Sequence, residues 1–123
     1  LQGQTGPYIQ NAYVRIQSIL RKAGETTGTY DGYILNEDEK LLLNMLGQCQ
    51  HVIDSAAKEY SPALVANYAF ALAKEYHRYY HDIKVLQAET DAARAFRLIL
   101  IKLIADVLRH TMDLLGIEMP ERM

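Results

Sequence analysis

The chain has 123 residues, half of them hydrophobic and 23% charged, a composition that excludes intrinsic disorder and suits one domain with a true core. Its 13 basic and 15 acidic residues leave a net charge of -2, which argues against a protein that grips nucleic acid through a general positive field. Any contact with nucleic acid has to come from a local patch. The single cysteine, Cys49, excludes an intrachain disulfide framework and a multi-cysteine zinc module, and a lone thiol fits a reducing, cytoplasmic setting. The first residue is Leu1 and the amphipathic pattern starts almost at once, as expected of a piece cut from a longer protein.

From Gly6 to Ala23 the apolar residues Ile9, Ala12, Tyr13, Ile16, Ile19 and Leu20 recur at i, i+3, i+4 and i+7, the stripe of a surface helix. Pro7 suits its first turn and Gly24 its end. Residues 24–35, GETTGTYDGYIL, carry three glycines and three threonines in 12 positions and read as a loop that is either mobile or functional. Asn36 and Glu39 form a capping-box pair that opens a helix through Leu41, Leu42, Met45 and Leu46, with Gly47 expected to break it. Cys49, Val52, Ile53, Ala56, Ala57 and Tyr60 make a second stripe, which places Cys49 in the core as an inert thiol.

Ser61-Pro62 pairs an N-cap with proline at the first helical position, and the helix it starts runs to about Tyr80. Residues 81–89 form a loop whose Ile83, Val85 and Leu86 tuck against the core. Thr90 caps a last helix that ends at Leu115 and Gly116, roughly 38 Å long at 1.5 Å per residue. Its polar residues Arg94, Arg97, Lys102, Asp106, Arg109, His110 and Asp113 form a narrow stripe, so the helix is expected to be central and packed on several sides. Its apolar run, Leu98 to Leu108, is broken by Lys102 and Asp106 and falls short of the roughly 20 residues a membrane span needs. No strand pattern, repeat or low-complexity segment is present. The fold class is all-α, a helical bundle of four to five helices.

No Gly-rich phosphate loop, Gly-x-Ser-x-Gly elbow or His-Glu-x-x-His pair occurs. His77 and His81 could share a helix face, but Lys74 and Arg78 lie on that face and would repel a metal ion. Lys74, His77, Arg78 and His81 together line up as a basic edge suited to phosphate contact, with Tyr76, Tyr79 and Tyr80 beside it. Aromatic rings among basic residues are what unstacked RNA bases require. The same spacing describes a solvated face over core tyrosines, and core packing is the simpler role for Tyr76 and Tyr79. Nine tyrosines, two phenylalanines and no tryptophan hint at a contact surface, since tyrosine buries a ring and keeps a hydroxyl, but half-buried tyrosines at helix edges are the simpler reading of that composition.

Three segments in order resemble arginyl-tRNA synthetases. Residues 5–22, TGPYIQNAYVRIQSILRK, are similar to the family's TGPYLQYAHARICSILRK helix. Residues 60–86 resemble its pattern of Pro, Leu-Ala-x-Tyr, Leu-Ala and Phe-Tyr-x-x-x-x-Val-Leu, and residues 97–123 resemble its C-terminus with Leu-Leu-Gly-Ile and a final Pro-Glu-Arg-Met. The Asp-Ala-Leu-Arg tag that names the domain type survives only in part, as Asp91-Ala92-Ala93-Arg94.

The resemblance implies a C-terminal anticodon-binding domain of a class I synthetase, with residues 1–23 leading from an upstream catalytic domain, 24–36 a loop and 37–123 the helical domain. It implies the tRNA anticodon loop and that upstream catalytic domain as partners, with no membrane contact. ATP and magnesium serve the parent enzyme, which joins arginine to its tRNA, and no cofactor is expected in this fragment. The implied contact residues are Tyr8, Gln10, Arg15, Tyr68, Tyr80 and Met123, to which the basic edge adds Lys74 and Arg78. Asn11 and Tyr13 replace the family's usual Tyr and His, so those positions are left out. The alternatives are the helical domain of another class I synthetase, disfavoured by the GPYxQ start and Pro-Glu-Arg-Met end, and a helical protein-interaction module.

Overall fold

Apolar spacing alone predicts where the first helix buries itself, and α1 (Thr5–Ala23) does so through Ile9, Ala12, Tyr13, Ile16 and Ile19. The structure is a computed structural model that describes residues 5–24, 28–82 and 85–121. Its order is α1, α2 (Glu37–Gly47), α3 (Cys49–Lys58), α4 (Pro62–Asp82), a 3-10 turn (Val85–Gln87) and α5 (Asp91–Leu114), with no strand among the described residues. The helix α5, roughly 36 Å long, is the axis against which α1, α2, α4 and the 3-10 turn pack. Small residues Ala69 and Ala73 on α4 and Ala105 on α5 are fully buried, which lets the helices approach closely.

Local signals set most boundaries. The capping box is formed as read: Asn36 Oδ1 accepts from the Glu39 amide at 2.8 Å, and the Glu39 carboxylate accepts from the Asn36 amide at 3.0 Å. Thr90 Oγ1 accepts from the Ala93 amide at 3.1 Å and starts α5. The break expected at Gly47 falls one residue later. Gln48 (φ −89°, ψ −4°) ends α2 and begins α3, because its amide still bonds to Met45 while its carbonyl already accepts from Val52. Within the expected 81–89 loop, α4 continues to Asp82 and Val85 is fully buried, whereas Ile83 lies outside the described residues.

Three expectations need correction. Cys49 is half-buried rather than sealed in the core, because α3 is short and packs mainly along one side of α4. On α5, Ile99 and Leu103 are 40% and 43% exposed, on an edge that no helix among the described residues covers. Arg97, read as part of a solvated polar stripe, is only 5% exposed.

Arg97 is inside because it joins a buried carboxylate. Glu39 has no exposed surface, and its Oε1 accepts from the Tyr33 hydroxyl at 2.7 Å and the Asn36 amide at 3.0 Å. Its Oε2 accepts from the Tyr79 hydroxyl at 2.7 Å and Arg97 Nε at 3.2 Å. The far side of the guanidinium donates to both carboxylate oxygens of Glu89, at 3.1 and 3.2 Å, and to the Tyr33 hydroxyl at 3.2 Å. The Tyr33 and Tyr30 rings rest on Phe96, so the end of the 24–36 segment is held down and not loose. Burial alone raises the Glu39 pKa, but the hydrogen bonds from Tyr79, Asn36, Tyr33 and Arg97 outweigh it and the net shift is downward.

Two stability predictions follow from these contacts. Removing one partner of a buried pair leaves the other uncompensated, so Glu39→Gln should cost roughly 3 kcal/mol at pH 7 in urea unfolding. A carboxyl whose folded pKa lies below its ordinary 4.5 contributes stability that is fully present above that value and lost as pH falls through the folded pKa. The gap between parent and Glu39→Gln should therefore hold at neutral pH and shrink below pH 4.5.

The second prediction concerns Tyr60, where α3 closes with the Ser61 amide on the Ala56 carbonyl at 2.9 Å and the Tyr60 amide on Ala57 at 3.4 Å. That closure places a left-handed residue where glycine costs least, yet Tyr60 sits there at φ +50° and 93% exposed. Tyr60→Gly should raise stability by about 1 kcal/mol, read as a higher melting temperature.

Candidate nucleic-acid interface

Helices α1 and α4 lie side by side, and their seam gathers aromatic side chains from both. Tyr8, half-buried one turn into α1, packs between Phe70 (ring centroids 5.0 Å apart) and His77 (5.1 Å, edge-on at 72°). His77 in turn meets Tyr76 at 5.5 Å, and Tyr76 stacks on Tyr80 at 6.1 Å with the rings 12° from parallel. The row from Phe70 through Tyr8, His77 and Tyr76 to Tyr80 exists because Phe70 and His77, two turns apart on α4, both meet the Tyr8 ring, while Tyr76 and Tyr80, one turn apart, stack on each other. Arg15, exposed two turns further along α1, acts electrostatically on both Tyr76 and His77.

Within this row Tyr76 stands out. Its side chain is fully buried, yet its hydroxyl makes no hydrogen bond among the described residues. An unpaired buried hydroxyl costs ~1–3 kcal/mol. Burial and the neighbouring Tyr80 push its pKa up and Arg15 pulls it back only in part, so the hydroxyl stays protonated and able to donate. Burial likewise raises the pKa of Tyr8. For His77, burial and then Arg15 lower the pKa, which keeps the imidazole neutral near pH 7.

The structure brings Tyr8, Arg15 and Tyr80 to this seam, with Lys74 exposed on the neighbouring face of α4. The other expected contact residues bond within the fold. Gln10 donates to the Glu118 carbonyl at 3.0 Å and ties the C-terminal tail to α1. Arg78 pairs with Asp38 at 3.0 Å and Glu75 at 2.9 Å, which balances its charge. The half-buried Tyr68 donates to the Met45 carbonyl at 2.6 Å and joins α4 to α2, while burial and then Cys49 push its pKa up to about 12. Met123 lies outside the described residues.

Tyr79 is a core residue as expected, with its hydroxyl on Glu39. Phe70 is the seam residue that the sequence pattern did not single out, and Tyr76, expected as core, is fully buried there. The basic edge contained His77, but nothing in the pattern indicated that Tyr8 would meet it. Among the described residues no group of three or more His, Cys, Asp or Glu could hold a metal ion, and no helix is long and apolar enough to cross a membrane.

The family model for the DALR anticodon binding domain matches residues 9–123. The chain belongs to that family. It is 43% identical over 126 residues to the arginine–tRNA ligase of Phocaeicola vulgatus, an alignment that covers 98% of this chain and 21% of that ligase. It is 44% identical over 128 residues to the arginine–tRNA ligase of Porphyromonas gingivalis, again covering 98% and 21%. The solved arginyl-tRNA synthetase of Thermus thermophilus superposes with a TM-score of 0.89 at 36% identity, over 99% of this chain and 22% of that one. The chain thus spans about a fifth of the length of the curated relatives it matches. The all-α anticodon-binding architecture expected from the resemblance is the one observed.

The Tyr68 bond offers a direct check on which residues hold the domain together. Tyr68→Phe deletes one half-buried hydrogen bond and should lower stability by about 1 kcal/mol in chemical denaturation, with helicity unchanged.

Proposed function

We propose that this chain is the anticodon-binding part of an arginine–tRNA ligase and that the α1–α4 seam receives the anticodon loop of its tRNA. The observation that carries the site is the Tyr76 hydroxyl, buried without a partner in a row of rings beside Arg15. An anticodon loop exposes unstacked bases, which stack on aromatic faces and present polar edges to hydrogen-bonding groups. Tyr8 and Tyr80 supply rings, the Tyr76 hydroxyl, buried in the free domain, supplies a donor to a base that opens the seam, and Arg15 and Lys74 supply charge for the flanking phosphates. Gln10, Tyr68 and Arg78 support this wall through the bonds they make to the tail and to α2. Met123 joins the contact set through the family resemblance.

The reaction of such a ligase, joining arginine to tRNA with ATP and magnesium in the cytoplasm, falls to the part of the enzyme outside this chain. The role of the present residues is to anchor and read the tRNA. In this reading residues 1–23 lead in from the catalytic domain, 24–36 form the connecting loop and 37–123 make up the helical domain. With a net charge of -2, affinity has to come from a few phosphate contacts and stacked bases. The isolated chain should therefore bind with a dissociation constant on the order of tens of micromolar.

Two variants read the site, each against a transcript of an arginine tRNA in fluorescence titrations. Tyr80→Ala should weaken binding by ~1–3 kcal/mol if the ring stacks a base. Tyr76→Phe removes a hydroxyl that has no partner in the free protein, so stability should hold or rise while binding weakens. If both variants stay folded and bind the transcript as the parent does, the seam is not the RNA surface.

A further inference from the structure

The row of rings contains one imidazole, the side chain whose ordinary pKa lies nearest to neutral. His77 is half-buried, edge-on to the Tyr8 ring at 5.1 Å and against Tyr76 at 5.5 Å. The titratable and charged groups around it are Tyr8 and Arg15 from α1, with Tyr76, Lys74, Tyr80 and His81 from its own helix. Burial and Arg15 both act against its charge, so the free domain holds a neutral imidazole beside an exposed guanidinium. Bringing an anion to the seam works against the second of these causes and adds an attraction of its own. A phosphate facing Arg15 cancels the field that opposes the imidazolium and gives its N–H a charged acceptor, and hydrogen bonds between ionised partners are about twice as strong as neutral ones.

We propose that His77 is an RNA contact that takes up a proton when an RNA phosphate settles at the α1–α4 seam. The inference rests on the seam being the RNA surface and adds the linkage between binding and pH. One proton moves from solvent to the imidazole as the complex forms, and it returns to solvent when the RNA leaves. The residue thereby adds a positive charge only in the complex, which suits a chain without a general positive field.

The test measures binding of an arginine tRNA transcript to the parent chain at pH 8, 7 and 6 at constant salt. The same series is run with His77→Asn, which cannot charge, and with His110→Asn as a control on exposed histidine. Affinity of the parent should rise severalfold as pH falls, with about tenfold per pH unit as the ceiling for one proton. His110→Asn should keep that slope and His77→Asn should lose it. The His77 ring resonances of the parent, followed by NMR, should titrate at higher pH once the transcript is bound, a readout that needs no variant to fold. A slope retained in His77→Asn, or a His77 titration unmoved by the transcript, overturns the proposal while leaving the seam as the RNA surface. Absence of tRNA binding at every pH overturns the seam assignment and this inference together.

Discussion

The Glu39 carboxylate is the point on which the rest of the bundle depends. It sits without solvent contact among donors from the 28–36 segment, from α4 and from α5, and it completes the capping box of its own helix. A buried charge is tolerated only where it is paired and hydrogen-bonded, so each of those partners has one position in which the site is satisfied. These bonds tie the 28–36 segment, α4 and α5 to one carboxylate on α2, and Arg97 is drawn inside because Glu39 and Glu89 receive it on two sides.

The same constraint reaches the seam. Tyr79 is directed toward Glu39, which sets the rotation of α4 about its axis. With successive residues 100° apart, Tyr76 and Tyr80 then share the flank of α4 that meets α1, and His77 lies beside them. Tyr79 and Tyr76 thus lie on neighbouring buried stripes of α4, with His77 and Tyr80 at the less buried edge. The Tyr76 hydroxyl is the buried side-chain polar group that this arrangement leaves without a partner among the described residues.

Charge is distributed to match. Arg78 and Arg97 are balanced by carboxylates, and Arg94 reaches the last carbonyl of α1 at 3.5 Å, where a cation favours the helix end. Arg15 is exposed beside the rings and Lys74 lies on the adjoining face. A chain that is mildly acidic overall can in this way present a narrow positive edge next to aromatic rings, a combination suited to a few phosphates and a few unstacked bases.

The helices and their caps were legible in the sequence, because apolar periods and capping pairs are local: Asn36 with Glu39, Thr90 before Ala93, and the Ile9-to-Ile19 stripe all act within a few residues. The family was legible too, through motifs spread in order along the chain. Periodicity assigns a residue to a face but does not name its neighbour. Arg97 looked solvated because its partners, Glu39 and Glu89, lie on other segments; Tyr76 is core as expected, but its periodicity could not say whether its hydroxyl finds an acceptor. Tyr8 meeting His77, and Tyr68 and Gln10 bonding to distant carbonyls, depend on how helices remote in sequence are set against one another. That setting was decided by tertiary packing around a buried carboxylate, since the pairing of charges and rings across helices is a property of distance in space and not of spacing along the chain.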